Sequence, residues 1–186
     1  MVEAMSDKIF ITANELLEDS FSLAHQIVDD GFLPNYIVAI WRGGTPVGIA
    51  VQELLEHRGI TTDHIAIRTS SYTGVWQQSD EIRVHGLHYI IENANAEDSL
   101  LIVDDTFDSG RSVNAVIQRI KDLSRANTPG TIKVATIYYK PTKRKVDFEP
   151  DYYVRETDKW LVFPHELQGL SDAEIAAHKP SAMSSK

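Results

Sequence analysis

Three acids, a small-residue turn and an arginine fall together in Asp104-Asp105-Thr106-Phe107-Asp108-Ser109-Gly110-Arg111-Ser112. The turn from Asp108 to Ser112 offers hydroxyls, backbone N–H groups freed by Gly110, the Arg111 cation and the positive end of a following helix, which together suit an anion. Asp104 and Asp105, however, would repel a bare phosphate. A ligand carrying both phosphate and hydroxyls reconciles the two, because carboxylates accept hydrogen bonds from sugar hydroxyls and tolerate a bridging Mg²⁺. A sugar phosphate meets both demands. Asp104 and Asp105 could instead be turn and cap residues after a strand; Asp108, Gly110 and the helix that follows favour a site.

The elements that must position these residues alternate. Leu100-Leu101-Ile102-Val103 is an apolar run ending at the acids, and Val113, Val116, Ile117, Ile120 and Leu123 recur at helical spacing from about Ser112 to Ser124. Tyr36 to Trp41 has the continuous apolar character of a strand buried on both faces, stops at Arg42-Gly43-Gly44, and precedes a helix with Thr45 as N-cap and Pro46 at its first position. Lys8 to Ile11, His64 to Thr69, Leu87 to Ile91, Ser99 to Val103 and Thr131 to Tyr139 read as further strands, with short extended pieces at Tyr152 to Val154 and Trp160 to Phe163. Thr12-Ala13-Asn14-Glu15 is a capping-box pattern opening a helix that Gly31 ends, and Ser171 to His178 reads as a short helix. Ser70 to Gly86 is long and polar for a connection inside a compact domain, with weak strand signal only around Ile82 to Val84, and reads as a lid in preference to a plain flexible hairpin.

This alternation predicts an α/β fold with a mostly parallel twisted sheet flanked by helices, whose ligand site lies at the carboxyl ends of the strands. Arg42-Gly43-Gly44, Ser70-Ser71-Tyr72, Asp104 to Ser112 and Lys140-Pro141 all fall at such ends.

The segment Ile102 to Ser112 resembles the signature of the type I phosphoribosyltransferases, which bind 5-phosphoribosyl-1-pyrophosphate; Ser109 stands where the family usually has Thr, and keeps the hydroxyl. Arg42-Gly43-Gly44 is similar to the family's pyrophosphate loop, and Ser71-Tyr72 to the start of its mobile lid. Tyr139-Lys140-Pro141, Asp151-Tyr152-Tyr153, Asp158-Lys159-Trp160 and Pro164-His165-Glu166 resemble the branch acting on the 6-oxopurines hypoxanthine, guanine and xanthine.

The resemblance implies roles. Asp104 and Asp105 would hold the ribose hydroxyls, Asp108, Ser109, Gly110, Arg111 and Ser112 the 5′-phosphate, and Arg42 and Gly43 the pyrophosphate. Asp108 would also take the purine N7 proton as the catalytic residue. Lys140 would donate to the base O6, Trp160 would stack on the ring, and the Leu161 backbone would meet the base edge. Mg²⁺ is the implied cofactor, near Asp104, Asp105 and Glu166, partly through substrate or water. A C-terminal hood from about residue 140 to 170, joined by the N-terminal segment, would complete one domain over residues 1–178, with 179–186 a flexible tail. Relatives self-associate, so a homodimer or homotetramer is implied. An ammonium has donors only, so Lys140 favours a carbonyl at purine C6 over the amino group of adenine.

The composition narrows the partners. A chain of 186 residues suffices for one core, and the absence of cysteine removes disulfides and thiolate metal sites and makes a reducing cytoplasm the simplest compartment. No apolar run approaches the roughly 20 residues that span a bilayer. The formal net charge of −9 opposes nucleic acid and anionic membrane as partners. Lys140-Pro141-Thr142-Lys143-Arg144-Lys145 is the one basic patch. It leaves open a nucleotide-sensing regulator of the same fold that binds nucleic acid, as Lys140 and Trp160 leave open the same reaction on another base.

Overall fold

The computed structural model describes residues 8–71 and 82–182. The chain divides into two compact units, one of residues 17–158 and one of residues 1–16 and 159–186.

The larger unit is built on a six-stranded sheet. Its strands are β2 (Tyr36–Trp41), β3 (Asp63–Ser71), β4 (Ile82–His85), β5 (Ser99–Phe107), β6 (Thr131–Tyr139) and β7 (Tyr152–Glu156), in the order β4-β3-β2-β5-β6-β7. All neighbours run parallel except β4, which lies antiparallel on β3. The carboxyl ends of β2, β3, β5, β6 and β7 therefore share one edge, as the alternating pattern predicts.

The central strands β2 and β5 are apolar on both faces because both are covered. Val38, Ile40, Leu100 and Ile102 enter a core with Val113, Val116 and Ile120 of α4 (Arg111–Ser124) and Ile90 of α3 (His88–Asn93). The alternate residues Ile37, Ala39, Leu101 and Val103 point the other way and are also buried. On that side α2 (Gly44–His57) lies against β2 and β5. It comes so close that a Cβ at Gly48 would stand 2.8 Å from that of Ala39. The helix α1 (Ala13–Asp29) is tied to β7 by a bidentate ion pair, Arg155 Nε and Nη2 to Asp19 at 2.7 and 2.9 Å, and by Gln26 Nε2 donating to the Tyr153 carbonyl. Arg155 is an exposed charge, and its fork pairs with a carboxylate that is 8% exposed.

Three boundaries depart from expectation. Leu87 to Ile91 is not a strand: Leu87, Ile90 and Ala94 are the buried positions, a 3,4 spacing that suits a helix, and α3 occupies the segment. The N-cap of α2 is Gly43, so Thr45 and Pro46 sit inside its first turn. Strand β5 continues through the acids, with Asp104 paired to Thr136 and Phe107 to Tyr139, because β6 is long enough to carry the ladder on. The proposed lid residue Ser71 ends β3; Tyr72 and the expected lid to residue 81 lie outside the described residues, and the last part of that segment, Ile82–His85, is the strand β4 paired back onto β3.

In the smaller unit β1 (Lys8–Phe10) pairs parallel with β8 (Trp160–Val162), separately from the large sheet. Thr12 and Glu15 form the expected reciprocal cap of α1. Ser171 and Glu174 do the same for α5 (Asp172–His178). A single turn of 3₁₀ helix follows at Pro180–Ala182.

Candidate active site

Four loops and strand ends of the larger unit meet around the end of β5. Asp104 and Asp105 lie in its last turns of ladder, and the Asp105 N–H donates to Asp104 Oδ1 at 2.9 Å. Against them rests the loop Arg42-Gly43-Gly44, entered through a cis peptide between Trp41 and Arg42. A Cβ at Gly43 would stand 1.6 Å from Asp105 Oδ2, and one at Gly44 2.5 Å from the Val103 carbonyl oxygen. Only glycine lets the backbone approach this closely. The Gly44 N–H faces the Asp104 carboxylate and favours its charge, yet burial and the adjacent Asp105 charge together push Asp104 well above the ordinary carboxylate range. Arg42 itself is exposed at the loop surface.

Beyond Phe107 the chain turns through Asp108, Ser109 and Gly110 into α4. Gly110 is its N-cap at φ +75°, and a Cβ there would meet Val146 Cγ2 at 2.5 Å and the Phe107 ring at 2.6 Å. Gly110 brings no side chain to cap the helix, and Ser109 Oγ accepts the Arg111 N–H at 3.4 Å. The result is a helix N-terminus behind a hydroxyl-bearing turn, the arrangement that receives phosphate.

Lys140 closes the site from β6. Its N–H donates to the Phe107 carbonyl at 2.9 Å, and its buried side chain places Nζ 3.2 Å from Asp108 Oδ2. The segment after it folds back over the turn: Lys143 N–H donates to the Lys140 carbonyl, Lys145 N–H to the Ser109 carbonyl, and Val146 packs beneath Gly110. Residues 140–146 are thus a strap joining Lys140 to the turn from Asp108 to Ser112, where the sequence suggests only a basic patch. Phe107, Tyr139 and Phe148 support both ends of the strap, with Phe107 edge-on to Tyr139 at 5.8 Å and to Phe148 at 5.7 Å.

The structure therefore brings Arg42, Gly43, Asp104, Asp105, Asp108, Ser109, Gly110, Arg111, Ser112 and Lys140 together in one unit, at the ends of β2, β5 and β6. Gly44, Lys145 and Val146 join them without having been singled out as site residues. Gly44 was visible as part of a glycine pair; the other two had no local signal, because their partners are a distant turn.

Trp160, Leu161 and Glu166 belong to the smaller unit. Trp160 is 65% exposed and its neighbour Leu161 is buried, as alternation along β8 requires. The Glu166 carboxylate accepts the Phe163 N–H at 3.0 Å, and the Glu166 N–H donates back to the Phe163 carbonyl at 3.0 Å.

No group of three or more His, Asp or Glu that could cage a metal occurs among the described residues. The adjacent carboxylates Asp104 and Asp105 nevertheless suit Mg²⁺, which takes one or two protein carboxylates and completes its shell with water and substrate phosphate.

A family model for the phosphoribosyl transferase domain matches residues 11–169. The hypoxanthine-guanine phosphoribosyltransferase of Streptococcus pyogenes serotype M3 is 28% identical over 153 residues, 82% of this chain and 79% of its own length. The crystal structure of a purine phosphoribosyltransferase from Pyrococcus horikoshii is similar with a TM-score of 0.69 at 25% identity, over 89% of this chain and 98% of that one. A Neisseria gonorrhoeae protein solved with bound ppGpp shares the fold over 97% of this chain and 99% of its own, with a TM-score of 0.74 at 20% identity.

Proposed function

We infer that this chain, which belongs to the phosphoribosyl transferase domain family, transfers the 5-phosphoribosyl group of 5-phosphoribosyl-1-pyrophosphate to a 6-oxopurine. The products are the nucleoside 5′-monophosphate and pyrophosphate. The observation that carries the choice of base is the 3.2 Å pairing of Lys140 with Asp108 at the mouth of the phosphate turn. It sets a donor-only cation beside a proton acceptor, and a 6-oxopurine presents an acceptor at O6 beside a donor at N7. Adenine offers an amino group where Lys140 needs an acceptor.

The residues divide the work. The α4 N-terminus with Ser109, Arg111 and Ser112 holds the 5′-phosphate, and Asp104 and Asp105 accept hydrogen bonds from the ribose hydroxyls. Arg42 and the Gly43 backbone hold the pyrophosphate. The purine N9 lone pair forms the new bond to the sugar C1 as the C1–O bond to pyrophosphate breaks, and the N7 proton passes to the Asp108 carboxylate. Mg²⁺, when bound, neutralises charge on the departing pyrophosphate; Asp104 and Asp105 would hold it, directly or through water. Glu166 is assigned to the metal or the purine 2-substituent, Trp160 to stacking, the Leu161 backbone to the base edge, and Ser71 and Tyr72 to the lid. A homodimer or homotetramer is the expected assembly.

The deciding experiment supplies the pyrophosphorylated sugar with hypoxanthine, guanine, xanthine, adenine or uracil and follows pyrophosphate release, with and without chelation of Mg²⁺. At least one oxopurine should exceed adenine and uracil by about 10²-fold or more in kcat/KM, and chelation should abolish turnover. No release with any oxopurine would sink the proposal.

A further inference from the structure

The strand that carries Trp160 and Leu161 is poorly supported by its own pairing. It is three residues long and its sheet partner is β1, also three residues long. A ribbon of this size is marginal by itself, so something else must fix its geometry.

The C-terminal helix does so through three contacts. Glu174 binds at both ends of its carboxylate: Oε2 accepts the Ser171 N–H at 2.8 Å and closes the helix cap, while Oε1 takes the Lys8 ammonium at 2.6 Å. Lys8 is the β1 residue in register with Trp160. These partners draw the Glu174 carboxyl down to about 2. One turn later, the His178 ring stacks on Phe10 of β1 at 3.7 Å between centroids, with the planes 10° apart. The adjacent Lys179 ammonium donates to the Phe163 carbonyl, one residue past the end of β8. Glu174 and His178 are i,i+4 partners on one face of α5, so a single short helix grips β1 twice and reaches the end of β8 through the next residue.

We propose that α5 is a positioning element for purine binding, in which Glu174, His178 and Lys179 hold the β1–β8 ribbon at Lys8, Phe10 and Phe163 and so set the affinity for the base. The proposal rests on the assignment of Trp160 and Leu161 to the purine. None of its contacts involves the phosphate turn or the Arg42 loop, so the donor substrate should be indifferent to them.

The test measures KM for hypoxanthine and for 5-phosphoribosyl-1-pyrophosphate in Lys8→Met, His178→Ala and Lys179→Met, beside Lys179→Arg, which keeps a donor for the carbonyl. The first three should raise the base KM about tenfold, because small displacements of a positioning surface are costly. KM for the sugar should stay within about twofold, and Lys179→Arg should recover most of the loss. Base and sugar KM rising in proportion, or a base KM unchanged in all three, overturns the inference. If Lys8→Met does not fold, Lys179→Met carries the same comparison, since Phe163 retains its bonds to Glu166. A wild-type protein that turns over no oxopurine overturns the underlying assignment; an active wild type with indifferent variants overturns the role of α5 alone.

Discussion

Because Lys140 and Asp108 neutralise one another, substitution of either also acts on its partner. In Asp108→Asn the side chain can still accept from Lys140 but no longer takes a proton. Its expected effect is a fall in kcat of about 10²-fold with KM for the sugar donor within about threefold, seen by steady-state kinetics. Loss of donor binding without loss of kcat would make Asp108 a ligand holder instead. Asp104 behaves differently. Its pKa in the folded protein lies well above the unfolded value of 3.8, because burial and the Asp105 charge penalise ionisation. The folded state therefore binds the proton more tightly, so this stabilisation is complete below the unfolded pKa and is lost as pH rises through the folded one. Asp104→Asn should raise the Tm of the free protein at pH 7 by about 2 °C or more, with the advantage closing towards about pH 4, while weakening sugar binding. Equal Tm values across that range would remove the strain assigned to Asp104. The gathering of these acids at the end of β5 was legible because it is local, in types and spacing; for Lys140 the pattern gave only a place at a strand end, and its role toward the base is what the resemblance implies. The lack of room for a Cβ at Gly43 and Gly44 and the packing of Val146 under Gly110 were not, since each depends on a contact with a distant part of the chain.

Among the elements, parallel strands and their helices were largely readable from apolar runs and caps, and the exception is instructive. Leu87 to Ile91 is too short for its apolar content to distinguish strand from helix, and Ile90 decides the matter by lying fully buried among Val113, Val116 and Ile120. Ile90→Ala should cost about 3 kcal/mol and lower Tm by roughly 6–12 °C. A cost under about 1 kcal/mol, measured by denaturant titration, would be inconsistent with that packing. The length of β5 was underestimated for a related reason: acids commonly end a strand, but the ladder to β6 carries this one to Phe107. That extension is what sets both carboxylates on a rigid strand rather than a loop.

For the molecule as a whole, charge and architecture point the same way. The net charge of −9 leaves no long-range attraction for nucleic acid, and the exposed cations Lys143, Arg144 and Lys145 form a single short patch against that field. No association with duplex DNA or single-stranded RNA is expected even at low ionic strength, where a gel-shift assay is most sensitive; retarded bands there would revive the regulator. The family match, from residue 11 to 169, spans the whole of the larger unit and part of the smaller one. The pairing of Lys8–Phe10 with Trp160–Val162 has a further consequence in the order of synthesis. As the chain leaves the ribosome at about 5–20 residues per second, β1 emerges roughly 8–30 s before its partner exists. The larger unit can close meanwhile, since all its strands lie between the two. The strand assigned to the purine thus completes its ribbon last, and a released chain truncated after residue 158 should hold the turn from Asp108 to Ser112 with β1 still unpaired.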